Sequence, residues 1–108
     1  MTGHLEVEVS RMAVITLRGE IDMNGVDELQ KAVEPHLAPG QTVVLDLSHV
    51  TFADSTLLHV LDRARGRVDQ MGGALLVRNP SDQIRQLLAI GALDDLVQAE
   101  VDRQNEQP

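Results

Sequence analysis

The chain opens with an alternation of apolar and polar residues. Leucine and valine occupy positions 5, 7 and 9, and polar residues occupy the positions between them. This period of two is typical of a half-buried strand. Ser10 and Arg11 are predicted to form a tight turn, and residues 13–18 the second arm of a hairpin, which residues 19–22 then leave.

Helical and extended segments alternate along the middle of the chain. Asn24 is predicted as the N-cap of a helix over residues 25–37, whose apolar residues recur on one face. Residues 42–47 form a run rich in β-branched residues and without alternation, which predicts a central strand buried on both faces. A short loop should follow this strand, and a second helix is predicted over residues 55–71, ended by Gly72 and Gly73.

The same alternation continues towards the C-terminus. Residues 74–78 predict another strand, Asn79, Pro80 and Ser81 begin a third helix that Gly91 closes, and residues 96–100 predict a short last strand. The order β-β-α-β-α-β-α-β predicts a single α/β domain over residues 1–100, followed by a polar tail over residues 101–108. We expect a mixed sheet of four to five strands, with right-handed crossovers between parallel strands and helices packed against it.

Charge and composition exclude several classes of function. The formal net charge is −8, which argues against nucleic acid or an anionic membrane as a partner because both select basic surfaces. The absence of cysteine excludes disulfides, thiol catalysis and zinc–thiolate sites. No apolar run approaches the ~20 residues that a membrane span needs, and no apolar signal core begins the chain. We therefore expect a cytoplasmic protein without a membrane span.

The three polar residues Asp54, Ser55 and Thr56 stand where the second predicted helix begins. Such residues are the preferred N-caps of helices, and capping alone can explain them. Alternatively, Ser55 is a phosphate acceptor, because the N-terminus of a helix tolerates negative charge. Leu57 and Leu58 follow directly, and one of the two should lie near the surface, where it would suit a contact with another protein.

Other candidate chemistry is weaker. The four histidines, at positions 4, 36, 49 and 59, lack the spacing of a metal site. Asp22, Asp46 and Asp54 follow or end predicted strands, where α/β sheets place their sites, but no histidine or metal motif accompanies them. Gly72 and Gly73 stop a helix and do not open one, the reverse of a phosphate-binding loop. We expect no enzymatic activity, no metal and no cofactor.

The segment over residues 43–61 resembles the signature of STAS domains, most closely that of bacterial anti-sigma factor antagonists. An apolar strand ends in Asp-Leu-Ser at Ser48, a Val-x-Phe loop ends at Phe52, and Asp54, Ser55 and Thr56 then open a helix. Residues 19–22, Gly-Glu-Ile-Asp, resemble the other common element of that family.

This resemblance implies a protein-binding switch in transcription regulation, which acts by partner switching. Its partners would be an anti-sigma factor that is also a serine kinase, which phosphorylates Ser55, and a phosphatase that reverses the modification. Asp54 would shape the acceptor loop, and Asp22 and Asn24 would lie on the same partner-facing surface. Together these interpretations predict a partner-binding surface made of Asp22, Asn24, Asp54, Ser55, Thr56, Leu57, Leu58 and His59.

Two positions differ from the family pattern. Leu57 and His59 stand where the family has glycine and, often, a second small residue. Small residues at these places let the backbone of a partner come close. The bulkier side chains favour an alternative, in which the chain is a STAS scaffold or subunit of a larger signalling or lipid-transport assembly and is not phosphorylated.

Overall fold

A computed structural model describes residues 12–98 of the chain. The strands are β1 (Met12–Ile21), β2 (Thr42–Ala53) and β3 (Ala74–Arg78), and the α-helices are α1 (Val26–Val33), α2 (Ser55–Gln70) and α3 (Asp82–Ile90). Short 3₁₀ helices occupy Met23–Gly25, Glu34–His36 and Asp94–Leu96. The predicted α/β class and all three helices are confirmed.

The described strands form one parallel sheet in the order β1-β2-β3. The predicted central strand is confirmed, because β2 lies between its neighbours and Val43, Val44 and Leu45 are fully buried. The first arm of the predicted hairpin and its turn lie outside the described residues. A last strand is present only as an isolated parallel bridge between Val77 and Val97, and residues 99–100 lie outside the described range.

Both β1 and β2 are longer than the sequence predicts. Residues 19–21 do not leave β1, and the predicted loop after Leu47 belongs to β2, which continues to Ala53. The pairing of the two strands continues because two register irregularities, one on each side of Arg18 and Gly19, absorb extra residues. Gly19 has a φ of +95°, a conformation that side chains disfavour, so a glycine there permits the bend.

The first helix is shorter than predicted. Its α-helical part is limited to Val26–Val33, and 3₁₀ turns replace the expected helix on both sides. Asn24 is not the N-cap of α1; it lies inside the first 3₁₀ helix, which Asp22 caps instead. Pro35 lacks the N–H that would continue the α-helical hydrogen bonds, which explains the change to 3₁₀ geometry at Glu34.

One core joins the three strands and the three α-helices. The buried side chains of the three helices pack against the strands in a single apolar cluster, built almost entirely from leucine, valine and isoleucine. Its fully buried centre contains Leu45, Leu47, Leu57, Leu61 and Leu88. The core therefore fixes the position of α2, and with it the place where α2 begins.

Candidate functional site

The C-terminal ends of β1 and β2 lie side by side at one edge of the sheet. Ile21 and Ala53 are register partners, so the residues that follow them, Asp22 and Asp54, emerge next to each other. The backbone N–H of Asp54 donates to the carbonyl oxygen of Ile21 at 3.2 Å. This hydrogen bond ties the start of α2 to the end of β1.

Each of these aspartates caps a helical turn with its side chain. Oδ1 of Asp22 accepts from the backbone N–H of Asn24 at 3.0 Å, and Oδ1 of Asp54 accepts from that of Thr56 at 2.8 Å. Hydrogen bonds from the side chain and the backbone of Thr56 lower the pKa of Asp54 below its ordinary value, against a weaker opposing effect of burial. The Asp54 carboxylate is therefore ionised at neutral pH.

Ser55 is the first residue of α2, and it is exposed. The N–H groups of the two following residues are already bonded to Asp54: that of Thr56 to the side chain, and that of Leu57 to the carbonyl oxygen at 3.0 Å. The cap that explains Asp54 and Thr56 thus leaves Ser55 facing solvent. Its hydroxyl is accessible to another protein.

The two leucines after Thr56 have different environments. Leu57 is fully buried and belongs to the core, so the structure removes its side chain from the predicted partner-binding surface. Leu58 is half-buried and packs against Gly91, where an added Cβ would lie 2.8 Å from its Cδ2 atom. The sequence expectation that one leucine lies nearer the surface is met by Leu58.

His59 and Asn24 are both exposed. Ser55 and His59 lie one helical turn apart on α2, a spacing that places them on the same face. The side chain of His59 therefore stands next to the candidate acceptor, where the family pattern has a small residue. Six of the eight predicted surface residues are grouped at the α2 start, and two lie just after β1.

Asp46, the third carboxylate considered from the sequence, does not belong to this group. It pairs in register with Thr16 and Arg78, and eight positions along an extended strand separate it from Asp54, about 26 Å. A hydrogen bond from the backbone N–H of Ser48, at 2.9 Å, is the main cause that lowers the pKa of Asp46. The three carboxylates therefore do not converge as a catalytic group would.

Two further observations concern alternative kinds of site. Within residues 12–98, no group of three or more histidine, aspartate or glutamate side chains is arranged to hold a metal ion. None of the helices described here is both long enough and apolar enough to cross a membrane.

The extension of β1 to Ile21 was not predicted from the sequence, although the family resemblance implied that Asp22 lies on the partner-facing surface. Residues 19–21 were expected to leave the strand, yet they bring Asp22 to the start of α2, and the Thr51 hydroxyl donates to the carbonyl oxygen of Gly19 at 3.3 Å. The available signal was the alternation itself, because Leu17, Gly19 and Ile21 continue the inward-facing series of β1.

Comparisons with known proteins find related sequences. The sequence model of a family described as "Mlab, STAS domain" matches residues 5–98. The anti-sigma-B factor antagonist of Bacillus subtilis (strain 168) is 29% identical over 83 residues, which are 77% of this chain and 76% of that protein.

Solved structures share the fold at lower identity. The anti-sigma factor antagonist SpoIIAA in its unphosphorylated form superimposes with a TM-score of 0.69 at 19% identity, over 94% of this chain and 92% of that one; SpoIIAA of Bacillus has also been solved in its phosphorylated form. The STAS domain of a SulP transporter from Vibrio cholerae gives a TM-score of 0.62 at 18% identity, over 84% of this chain and 75% of that one. The fold thus occurs in regulators and in transporters.

Proposed function

Because this chain belongs to the STAS domain family, we propose that it is an anti-sigma factor antagonist, a protein-binding switch and not an enzyme. In its unphosphorylated form it binds an anti-sigma factor that is also a serine kinase. Phosphorylation at Ser55 ends this binding, and a phosphatase restores it. The observation that carries the proposal is the exposed Ser55 hydroxyl, next to the ends of β1 and β2.

Electrostatics explains how a phosphate at this position would act. A phosphoserine carries about −1.5 to −2 charges at neutral pH. The neighbouring Asp54 is already ionised, and it already bonds the N–H groups of Thr56 and Leu57. The helix N-terminus therefore offsets only part of the added charge. A partner surface that fits the neutral hydroxyl would meet both repulsion and a desolvation cost.

The partner-binding surface has a charged part and an apolar part. Asp22 and Asp54 supply carboxylates at the strand ends, and Leu58 supplies a half-buried apolar side chain on α2. Asn24, Thr56 and His59 complete the surface. The sheet positions the two strand ends and the core anchors α2, so we expect a change at Ser55 to act mainly through the charge of this surface.

The test is phosphorylation by the cognate anti-sigma kinase with ATP, followed by intact mass and peptide mapping. We expect one phosphate, located on Ser55, and none on the Ser55→Ala variant. Ser48→Ala is a matched control that removes another exposed hydroxyl close in sequence, outside the proposed surface, and this variant should still be phosphorylated. Ser55→Asp should weaken binding to the anti-sigma factor by at least tenfold, since an introduced charge in an interface costs about 1.4 kcal/mol or more.

A phosphate that maps to another residue, or a Ser55→Asp variant that binds the anti-sigma factor as tightly as the unmodified chain, would contradict the switch. Because the Ser55 side chain is exposed, its replacement should leave the fold intact. A thermal unfolding curve for each variant verifies that loss of binding is not loss of folding.

A second candidate function is a STAS scaffold or subunit of a larger signalling or lipid-transport assembly. The exposed His59 favours it, because this side chain stands beside Ser55 where the switch family is small. In that case the chain co-purifies with subunits of a membrane transporter, and the Ser55→Asp variant recovers the same amount of these subunits. Co-purification from a detergent extract, repeated with the Ser55→Asp variant, distinguishes the two functions.

A further inference from the structure

A cleft lies between α1 and α2, on the flank of the molecule that α2 shares with the second 3₁₀ helix. Its volume is about 100 Å³. The apolar floor is made of Val33, Leu37, Val60 and Ala64. The polar rim is made of Gln30, Glu34, Arg63 and Arg67.

The two arginines place positive charge on an acidic protein. Arg63 and Arg67 are four residues apart on α2, so their side chains lie on the same face of the helix. No described carboxylate lies within ion-pair distance of Arg63. Arg67 approaches Glu34 only at 3.4 Å, in a pair whose side chains are 53% and 59% exposed, and such pairs are weak. With a net charge of −8 for the chain, this rim is a local exception.

The cleft suits one side chain and not a nucleotide. One water molecule needs about 10–15 Å³ by the same measure, whereas sites for drug-sized ligands measure about 300–1,000 Å³. The buried Val33, Val60 and Ala64 offer an apolar floor to whatever enters. A guanidinium on the rim prefers a carboxylate, because the geometry of the two groups matches.

We propose that this cleft binds an acidic-apolar segment of a partner protein. An apolar side chain of the segment occupies the floor, and a neighbouring carboxylate pairs with Arg63 and Arg67. A free small anion would gain too little contact in so shallow a cleft, whereas a segment can continue over α1 and α2. Arg63 lies eight residues from Ser55, about 12 Å along the helix axis, so the site is separate from the proposed switch.

The position of Glu34 predicts the direction in which its replacement should change the affinity for an acidic segment. Its carboxylate stands on the rim and pairs with Arg67, so it competes with an incoming carboxylate for the same guanidinium. Replacing this carboxylate with a neutral amide should therefore strengthen binding of an acidic segment. A site that merely recognises apolar surface would not respond in this way.

The experiment is a titration of the full chain, followed by amide NMR shifts. The probe is a short blocked peptide of alternating leucine and glutamate, and its control is the same peptide with glutamine in place of glutamate. We expect the shifts to centre on Val33, Val60 and Arg63. The glutamine peptide should bind about threefold to tenfold more weakly, since it lacks the charge-assisted hydrogen bonds.

Three variants complete the test. Arg63→Gln should weaken binding of the glutamate peptide about threefold to tenfold, and Glu34→Gln should strengthen it about twofold to threefold. Arg85→Gln, which removes the same charge from an exposed position on α3, should leave binding unchanged. All three side chains are exposed, so the dispersion of the NMR spectrum should stay that of the folded chain.

Several results would overturn the proposal: no binding of the glutamate peptide, equal binding of the glutamine peptide, or weaker binding after Glu34→Gln. Inorganic phosphate or N-acetylglutamate that binds as tightly as the peptide would identify a site for free anions instead. The outcome does not depend on Ser55, because no step of the titration uses the kinase. Failure here would therefore leave the proposed switch untouched, and the reverse also holds.

Discussion

A single carboxylate organises the candidate switch. Asp54 follows β2. It accepts the N–H of Thr56 with its side chain and the N–H of Leu57 with its carbonyl oxygen, and it donates its own N–H to the carbonyl oxygen of Ile21. The same residue therefore begins α2, joins it to β1 and leaves Ser55 exposed. Its charge state should also make the start of α2 sensitive to acid.

The pKa of Asp54 is lowered in the folded chain, mainly by hydrogen bonds from Thr56. Because the pKa is lowered, the ionised carboxylate stabilises the fold at any pH above 3.8, the pKa of the unfolded chain. This stabilisation is lost as the pH falls through the pKa of the folded chain. We expect Asp54→Asn, which keeps an N-cap but cannot titrate, to be less stable than the unmodified chain at pH 7 and to approach it at pH 3. Urea unfolding across this range measures the difference, and a difference that does not change with pH would contradict the assignment.

Among the strands and helices, those with a clear apolar pattern were predicted correctly from the sequence. β3 and α3 were predicted from apolar runs bounded by glycine, proline and serine, and both are confirmed, with Ser81 capping α3 through its hydroxyl. The extension of β2 to Ala53 could not be predicted in this way. Ser48, His49 and Thr51 are exposed and polar, and their strand conformation depends on pairing with β1, which is a contact distant in sequence.

In the predicted site, too, some features follow from the local sequence and others depend on contacts that are distant in sequence. A helix start at Ser55 follows from local capping chemistry, and the structure has it there. The burial of Leu57 and the partial exposure of Leu58 depend instead on where α3 and the sheet pack against α2, so residue spacing alone could not decide between them. The cleft beside Arg63 likewise requires α1 and α2 to be brought together.

Replacing either of two glycines in or near α2 with alanine should change the stability of the chain, but in opposite directions. Gly66 lies within α2, and a Cβ there would meet nothing within 4 Å, so Gly66→Ala should stabilise the chain by about 0.5–1 kcal/mol. Gly73 follows the end of α2, and a Cβ there would overlap the backbone carbonyl oxygen of Gln41. Gly73→Ala should destabilise by about 1–3 kcal/mol, because backbone must move.

Urea unfolding of both variants measures these changes against the unmodified chain. The pair controls for composition, because each variant adds the same methyl group to the same α2 region. If both changes were destabilising, the open space beside Gly66 on α2 would be contradicted. If both were stabilising, the close approach of Gly73, before β3, to the backbone of Gln41, before β2, would be contradicted.

For the whole molecule, the comparisons explain why the fold is easier to assign than the partner. The same fold occurs in the anti-sigma factor antagonist SpoIIAA and in the STAS domain of a SulP transporter, and both superimpose on this chain. The proposed function therefore rests on the exposed residues around Ser55 and His59, which core packing does not constrain. The core, by contrast, contains residues from every strand and every α-helix described above.

Leu45 lies at the centre of this core, fully buried on the central strand and in register with Ile15 and Val77. We expect Leu45→Ala to lower the free energy of unfolding by about 2–5 kcal/mol, out of the about 5–15 kcal/mol that is usual for a domain. Ile90→Ala is the matched control, because Ile90 is 82% exposed, and it should change stability by no more than about 0.5 kcal/mol. Since one cluster joins all three strands and all three α-helices, Leu45→Ala should accelerate amide hydrogen exchange in β1, α2 and α3 together. Faster exchange confined to β2 would show that the core consists of separately stable parts.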